Sequence, residues 1–288
     1  MLYLFLAVIC ASTYSILFKL FACRDVDSLQ AIAFNYLTAT LLGISLSLGD
    51  LSVGVVLGPR EWLLSVIMGL MFMSAFVLMA RSTSVSGVAV TTVAARVALI
   101  IPVVCSYLFI DGSVEPRWGA IAVILLALVM VIGGPAKEKA AQGEKRRGGV
   151  ALVLLPLAVF LLFGTNNFCL NWARSGMAAG GASQLSAAIF LFAALASGGY
   201  YFVATKKRKF SWWALGGGVL LGVANFFTTY FMILGLEVLP SGVFFPIYHV
   251  GIVALVATLG VALFKERLSL LQIVGLGVAA AGMVAFFI

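Results

Sequence analysis

Apolar residues run through this chain in long blocks separated by short polar stretches. The blocks fall at about 2–22, 29–48, 62–80, 85–110, 115–133, 149–172, 183–203, 211–235, 240–264 and 269–288. Each comes close to the roughly 20 residues with which a helix crosses a hydrocarbon core about 30 Å thick. A helix satisfies its own backbone polar groups in lipid, so the pattern predicts an all-α polytopic membrane protein of about ten transmembrane helices. The longest polar interruption, PAKEKAAQGEKRRG at 135–148, reads as a solvated basic linker. It separates a first five-helix half, 1–134, from a second, 149–288.

The two halves echo each other. The stretch VSGVAVTTVAARVALIIPVVCSYLFID at 85–111 opens on Ser86-Gly87-Val88 and closes on Asp111. Ser241-Gly242-Val243 and Glu266 repeat that frame 155 positions later, and Phe109 and Phe264 keep the same separation. Gln30 and Gln184 are 154 apart, and CASTYS in the first block answers to FGTNNF in the sixth. An odd number of helices per half puts equivalent loops on opposite sides of the membrane. The halves are therefore expected to be inverted repeats, an arrangement of transporters that bind at the repeat interface.

Composition agrees with the pattern. Hydrophobic residues make up 63% and charged residues 10% of the chain, where a soluble domain keeps about a quarter of its residues charged. The net charge of +8 resides almost wholly in loops, where it orients the chain and meets anionic lipid headgroups. One side collects Lys19, Arg24, Arg81, the basic residues of 135–148, those of 206–209, Lys265 and Arg267, fourteen in all. The other has only Arg60, Arg117 and Arg174. The first side is expected to be cytoplasmic, which places 135–148 inside and both termini outside.

Several chemistries find no support. Cys10, Cys23, Cys105 and Cys169 lie in or beside apolar blocks without a CxxC pair, and read as buried, inert thiols. A lone histidine, His249, builds no metal cluster, and no cofactor is implied. No GxxxxGK[ST] loop is present, so transport would draw on a gradient or exchange. The N-terminus lacks the basic start of a cleaved signal peptide, and Lys19 ahead of Leu20-Phe21-Ala22-Cys23 argues against lipoprotein processing. The glycines within helices read as packing devices that let backbones approach.

The polar residues inside the blocks are the candidates for function. Helix 1 carries Tyr14; helix 2 carries Asn35 and Tyr36; helix 6 carries Asn166 and Asn167. Helix 8 carries Asn225 and Tyr230, and helix 9 carries Tyr248 and His249. These either bond helix to helix or converge on a polar cavity. Arg96 is set apart, since a guanidinium at mid-membrane costs about 3 kcal/mol even on lenient scales. All ten acids lie in loops or near helix ends. Arg96 is left with a cage of carbonyls, Asn and Tyr, or with an anionic group of a substrate. Two residues from its depth by the repeat falls His249, which is either a structural ring or a proton relay. Pro102 and Pro246 lie in the paired helices 4 and 9, where a kink would free backbone carbonyls.

The closing stretch, PSGVFFPIYHVGIVALVATLGVALFKERLSLLQIVGLGVAAAGMVAFFI, resembles that of EamA-type members of the drug/metabolite transporter superfamily. The resemblance rests on Pro246, Phe264 and Glu266, Leu268-Ser269, and the Gln-x-x-Gly pattern Gln272 to Gly275. The first half matches through 85–103, then departs, with Asp111 followed by Gly112 and no Gln-x-x-Gly opening helix 5. The resemblance implies alternating access by rocking of the halves around a central cavity, usually with proton coupling, exchange or facilitated transport. Relatives often have cytoplasmic termini, the reverse of what the charge count gives here.

The expected protein is a secondary transporter of a small polar metabolite, anionic or zwitterionic, with no nucleic-acid partner and acting as a monomer or homodimer. A multidrug-type exporter of amphipathic compounds would want an intramembrane carboxylate. A non-transporting scaffold or sensor subunit would have no solute-accessible cavity. An intramembrane enzyme would need clustered His, Asp or Glu, or a nucleophile with a base.

Overall fold

A computed structural model describes 1–288 apart from 24–27, 53–56, 87, 111, 113–114, 141–149, 178–180, 205–209, 265–268 and 285–288. The helices are α1 (Leu2–Cys23), α2 (Ser28–Ser52), α3 (Pro59–Ser86), α4 (Val88–Val97), α5 (Ile100–Phe109) and α6 (Trp118–Ala140). They continue as α7 (Ala151–Ser175), α8 (Ala182–Ala204), α9 (Trp212–Val238), α10 (Ser241–Phe264) and α11 (Leu270–Val284). No strand occurs among the described residues. Seven stretches are long and apolar enough to span a membrane: Leu29–Leu48, Pro59–Met79, Thr91–Phe109, Ala151–Ser175, Ala182–Tyr201, Trp212–Val238 and Ser241–Leu263. Three shorter apolar helices lie at Leu2–Thr13, Trp118–Met130 and Leu270–Gly282. The chain is thus an α-helical polytopic protein suited to a membrane. The ten apolar blocks of the sequence coincide with these seven spans and three shorter helices. Of the basic linker, 135–140 continues α6, and 141–148 lies outside the described residues. So do the repeat markers Gly87, Asp111 and Glu266.

The chain forms two compact units, and neither coincides with a sequence half. The first unites Met1–Met73 with Cys169–Val238. In it α2 packs on both α8 and α9, and α1 on α9. Glycine makes the α2–α9 seam possible. A Cβ on Gly222 would stand 2.5 Å from the Asn35 carbonyl oxygen, and one on Gly218 2.6 Å from that of Ala31. The helices lie backbone against backbone along this line. At one end of the unit, Arg60 of α3 closes the last turn of α7. Its Nη2 donates to the Trp172 carbonyl at 2.6 Å, and the guanidinium lies 4.9 Å from the Trp172 ring centre. A helix leaves its last carbonyls unbonded, and a cation there meets both the carbonyl and the helix dipole.

The second unit unites Ser74–Phe168 with Leu239–Ile288. Here α6 packs along α11 and α4, while α10 packs on α5, α6 and α11. Ser82 and Thr91 share a buried hydroxyl hydrogen bond of 2.7 Å between α3 and α4. The Ser86 hydroxyl donates to the Leu152 carbonyl at 3.0 Å, tying the end of α3 to the start of α7. Each bond consumes a hydroxyl that lipid could not satisfy.

Candidate functional site

The fourth apolar block, expected as one helix, is two. After Val97 the chain tightens at Ala98 and Leu99 before α5 begins. The cause is Pro102, which has no N–H and whose ring crowds the carbonyl four residues back, that of Ala98. Neighbouring amides adjust. Ile101 N–H donates to the Ala98 oxygen at 3.1 Å, and Leu99 N–H to the Arg96 oxygen at 3.3 Å, both three-residue bonds. Leu99 keeps right-handed angles (φ −54°, ψ −23°), so the backbone winds more tightly without turning away. On α7, Gly164 sits against the break: a Cβ there would stand 2.9 Å from the Ala98 oxygen. Pro246 has no such effect, and α10 runs unbroken from Ser241 to Phe264. It stands in the second turn, where little helix precedes it to be displaced.

Arg96 is the penultimate residue of α4, immediately before the break. It is half-buried, and no described residue gives its guanidinium a hydrogen bond or an ion pair. Arg96 and His249 belong to the same compact unit. His249 is 3% exposed, and neither ring nitrogen has a hydrogen-bond partner among the described residues. Its ring meets Tyr248 edge-on at 5.2 Å, and Tyr248 stacks on Phe244 at 5.7 Å. The second unit therefore holds both a permanent cation and an unpaired, buried imidazole. Nearly every buried polar side-chain atom in a protein is hydrogen-bonded, so this vacancy of partners is unusual. Asn166, on α7 of the same unit, likewise has a buried Oδ1 without a partner among the described residues. Asn167 is half-buried and lies three residues beyond Gly164, on the helix face that meets the break.

The other expected site residues belong to the first unit. Asn225 Nδ2 on α9 donates to Asn35 Oδ1 on α2 at 3.3 Å, so this pair bonds helix to helix. Tyr36 is fully buried, its ring 6.4 Å from Phe72 and 6.2 Å from Phe190. Phe190 lies 5.7 Å from Phe72 and 6.3 Å from Phe226, which stacks on Tyr230 at 5.9 Å. The side chain of Tyr14 lies outside the described residues. The expected set thus divides: Arg96, Tyr248, His249, Asn166 and Asn167 in one unit, Asn35, Tyr36, Asn225 and Tyr230 in the other.

Three aromatic rings, Phe72, Phe190 and Phe226, escaped the sequence reading although a constant separation marks them. Tyr36 and Phe190 are 154 positions apart, and so are Phe72 and Phe226. The same separation linked Gln30 to Gln184. Gln30 donates to the Tyr201 hydroxyl at 3.0 Å and accepts from Ser211 N–H at 2.9 Å. Gln184 instead lines a cavity of about 220 Å³ with Ser47, Trp62 and apolar side chains of α2 and α8. None of the expected site residues borders it. No group of three or more His, Cys, Asp or Glu placed to hold a metal occurs among the described residues.

No family model matches the chain. It is similar to an uncharacterized protein of Haemophilus influenzae, 23% identical over 281 residues, covering 95% of this chain and 93% of that one. A protein crystal structure superposes with a TM-score of 0.79 at 15% identity, over 99% of this chain and 95% of the other. This likeness shows a shared fold.

Proposed function

We propose that this chain is a secondary transporter of the EamA type in the drug/metabolite transporter superfamily, moving a small anionic or zwitterionic metabolite across the cytoplasmic membrane. The observation that carries the reading is Arg96. It is a charge without a counter-charge among the described residues, set at a helix break in the unit that also holds an unpaired buried histidine. A solute carboxylate or other anionic group supplies what is missing, and an ion that enters and leaves suits a cation that has no resident partner.

An inverted repeat is supported from both units. Near an axis relating two halves, equivalent segments meet. The helices holding the repeat-related blocks do so: α2 with α8, α5 with α10, and α6 with α11. The ring pairs obey the same relation, with Tyr36–Phe72 at 6.4 Å answering Phe190–Phe226 at 6.3 Å. Tyr36 itself touches its equivalent, Phe190. Ten spans in two five-helix repeats, rocking in alternating access, with the basic linker inside and both termini outside, complete the proposal.

Thermal stability of the purified protein and its Arg96→Ala variant, against anionic, zwitterionic and cationic metabolites, tests it. A ligand at about 100 times its Kd adds roughly 2.7 kcal/mol to the folded state. Anionic or zwitterionic compounds are expected to stabilise the parent protein and to leave Arg96→Ala unmoved. Stabilisation by cations alone, or shifts that survive in Arg96→Ala, would overturn the reading.

A further inference from the structure

The cavity of about 220 Å³ in the first unit lies apart from the solute site proposed above, and its walls say what suits it. Close helix contacts frame it. A Cβ on Gly43 of α2 would stand 2.6 Å from Ala187 Cα of α8, and one on Gly69 of α3 would stand 2.9 Å from the Ile189 oxygen of α8. Small residues permit such an approach. Beside these contacts α8 lines the cavity with Ala187 and Ala188, both too short to fill the space that Trp62 borders. The Trp62 ring stands edge-on to Phe192 at 6.3 Å, which holds it as a wall. Ile44 and Trp62 are close to half exposed and form the mouth, whereas Leu57, Ala187 and Ala188 are buried.

Water and polar solutes find little here. A buried water wants two to four polar partners. Of the described side chains that line the cavity, only Ser47, Gln184 and the Trp62 N–H are polar. Ser47 donates its hydroxyl to the Ile44 carbonyl at 2.9 Å, and Gln184 has a partner of its own. An apolar cavity of about 150 Å³ already stays dry and accepts benzene. Every lining residue but Leu57 lies on one of three membrane-length stretches, Leu29–Leu48, Pro59–Met79 and Ala182–Tyr201. Leu41 and Leu48 flank Ile44 on the same face of α2, and Leu63 follows Trp62; all three are exposed. The mouth thus continues the apolar surface that a bilayer covers, and hydrocarbon is what meets it. We propose that the cavity binds one acyl chain of a membrane phospholipid. The chain enters past Ile44 and Trp62 and lies against Leu57, Ala187 and Ala188. It supplies the dispersion contacts that these walls cannot make to one another.

The probe is a phosphatidylcholine with a photoreactive diazirine in one acyl chain, present as a minor component of dioleoyl phosphatidylcholine vesicles holding the full chain. After irradiation and peptide mapping, label is expected on buried Leu57, Ala187 and Ala188 as well as on exposed Leu41 and Leu63. Lipid at the outer surface reaches only the last two, so label confined to them would overturn the proposal. Ala188→Leu fills the cavity from its buried wall. In that variant the label on Leu57 and Ala187 should fall to background while Leu41 and Leu63 keep theirs; unchanged label on Leu57 would overturn the proposal as well. The parent protein decides the matter even where the variant does not fold. Dioleoyl phosphatidylcholine in mixed micelles should also raise the melting temperature of the detergent-purified parent, and glycerophosphocholine, the headgroup without chains, should not. An equal rise with glycerophosphocholine would show that the headgroup is what binds, against the proposal.

Discussion

Gly222→Leu is expected to abolish recovery of folded protein, while Gly216→Leu on the same helix leaves it intact. A Cβ at Gly222 would lie 2.5 Å from the Asn35 carbonyl oxygen and 2.7 Å from Thr38 Cβ. Neither is the end of a flexible side chain that could swing aside. One turn earlier, Gly218 meets Ala31 and Phe34 as closely, so α9 cannot tilt about one contact to relieve the other. Leucine must push α9 off α2, separating Asn225 from Asn35 and disturbing the ring contacts of Phe226. Overpacking at a single rigid site costs about 1–3 kcal/mol, and the lost seam adds to it. A domain holds only about 5–15 kcal/mol in total. At Gly216 nothing stands within 4 Å of an added Cβ. Size-exclusion profiles and melting temperatures of the two variants check the contrast; equal behaviour would show that the α2–α9 seam is not what holds this unit.

The helices were legible because lipid-length apolar blocks admit few alternatives, and each block falls on described helix, with ends that differ by up to about seven residues. The interruption inside 85–110 was not, because Ala98 and Leu99 are as apolar as their neighbours and leave hydropathy unbroken. Only Pro102 announced it, and Pro246 sends the same signal from a helix that stays whole. A proline's effect depends on how much helix precedes it, which the residue type alone does not state.

Of the candidate residues, Arg96 was singled out by the cost of its charge and His249 by the repeat. Subtracting 155 from 249 gives 94, two residues from Arg96, and both fall in the second compact unit. The asparagines carried less information, since a helix-bonding amide and a solute-binding amide look alike in sequence. Asn35 and Asn225 are distinguished from Asn166 only once their partners are seen. The interleaving of the units was also hidden. The polar stretch at 135–148 divides the sequence in two, and each compact unit draws helices from both sides of it.

Pro102→Ala should raise the melting temperature and at the same time remove the Arg96-dependent response to ligand. Alanine restores an N–H at 102 aimed at the Ala98 oxygen, which now takes its bond from Ile101. A proline inside a helix costs roughly 3 kcal/mol. Part of that returns when the three-residue bonds at Leu99 and Ile101 relax to the four-residue pattern. The tight turn winds the chain by about 120° per residue and an α-helix by about 100°. Closing the break therefore rotates α4 against α5 and carries the Arg96 side chain away from its present station at the end of α4. Gly164, packed on the Ala98 oxygen, would lose the contact that fits the present winding. Amide exchange at Leu99 and Ile101 should slow in the variant, which separates a closed break from a general loss of structure. A variant that is more stable, slower in exchange and still responsive to anions would show that the break plays no part in binding.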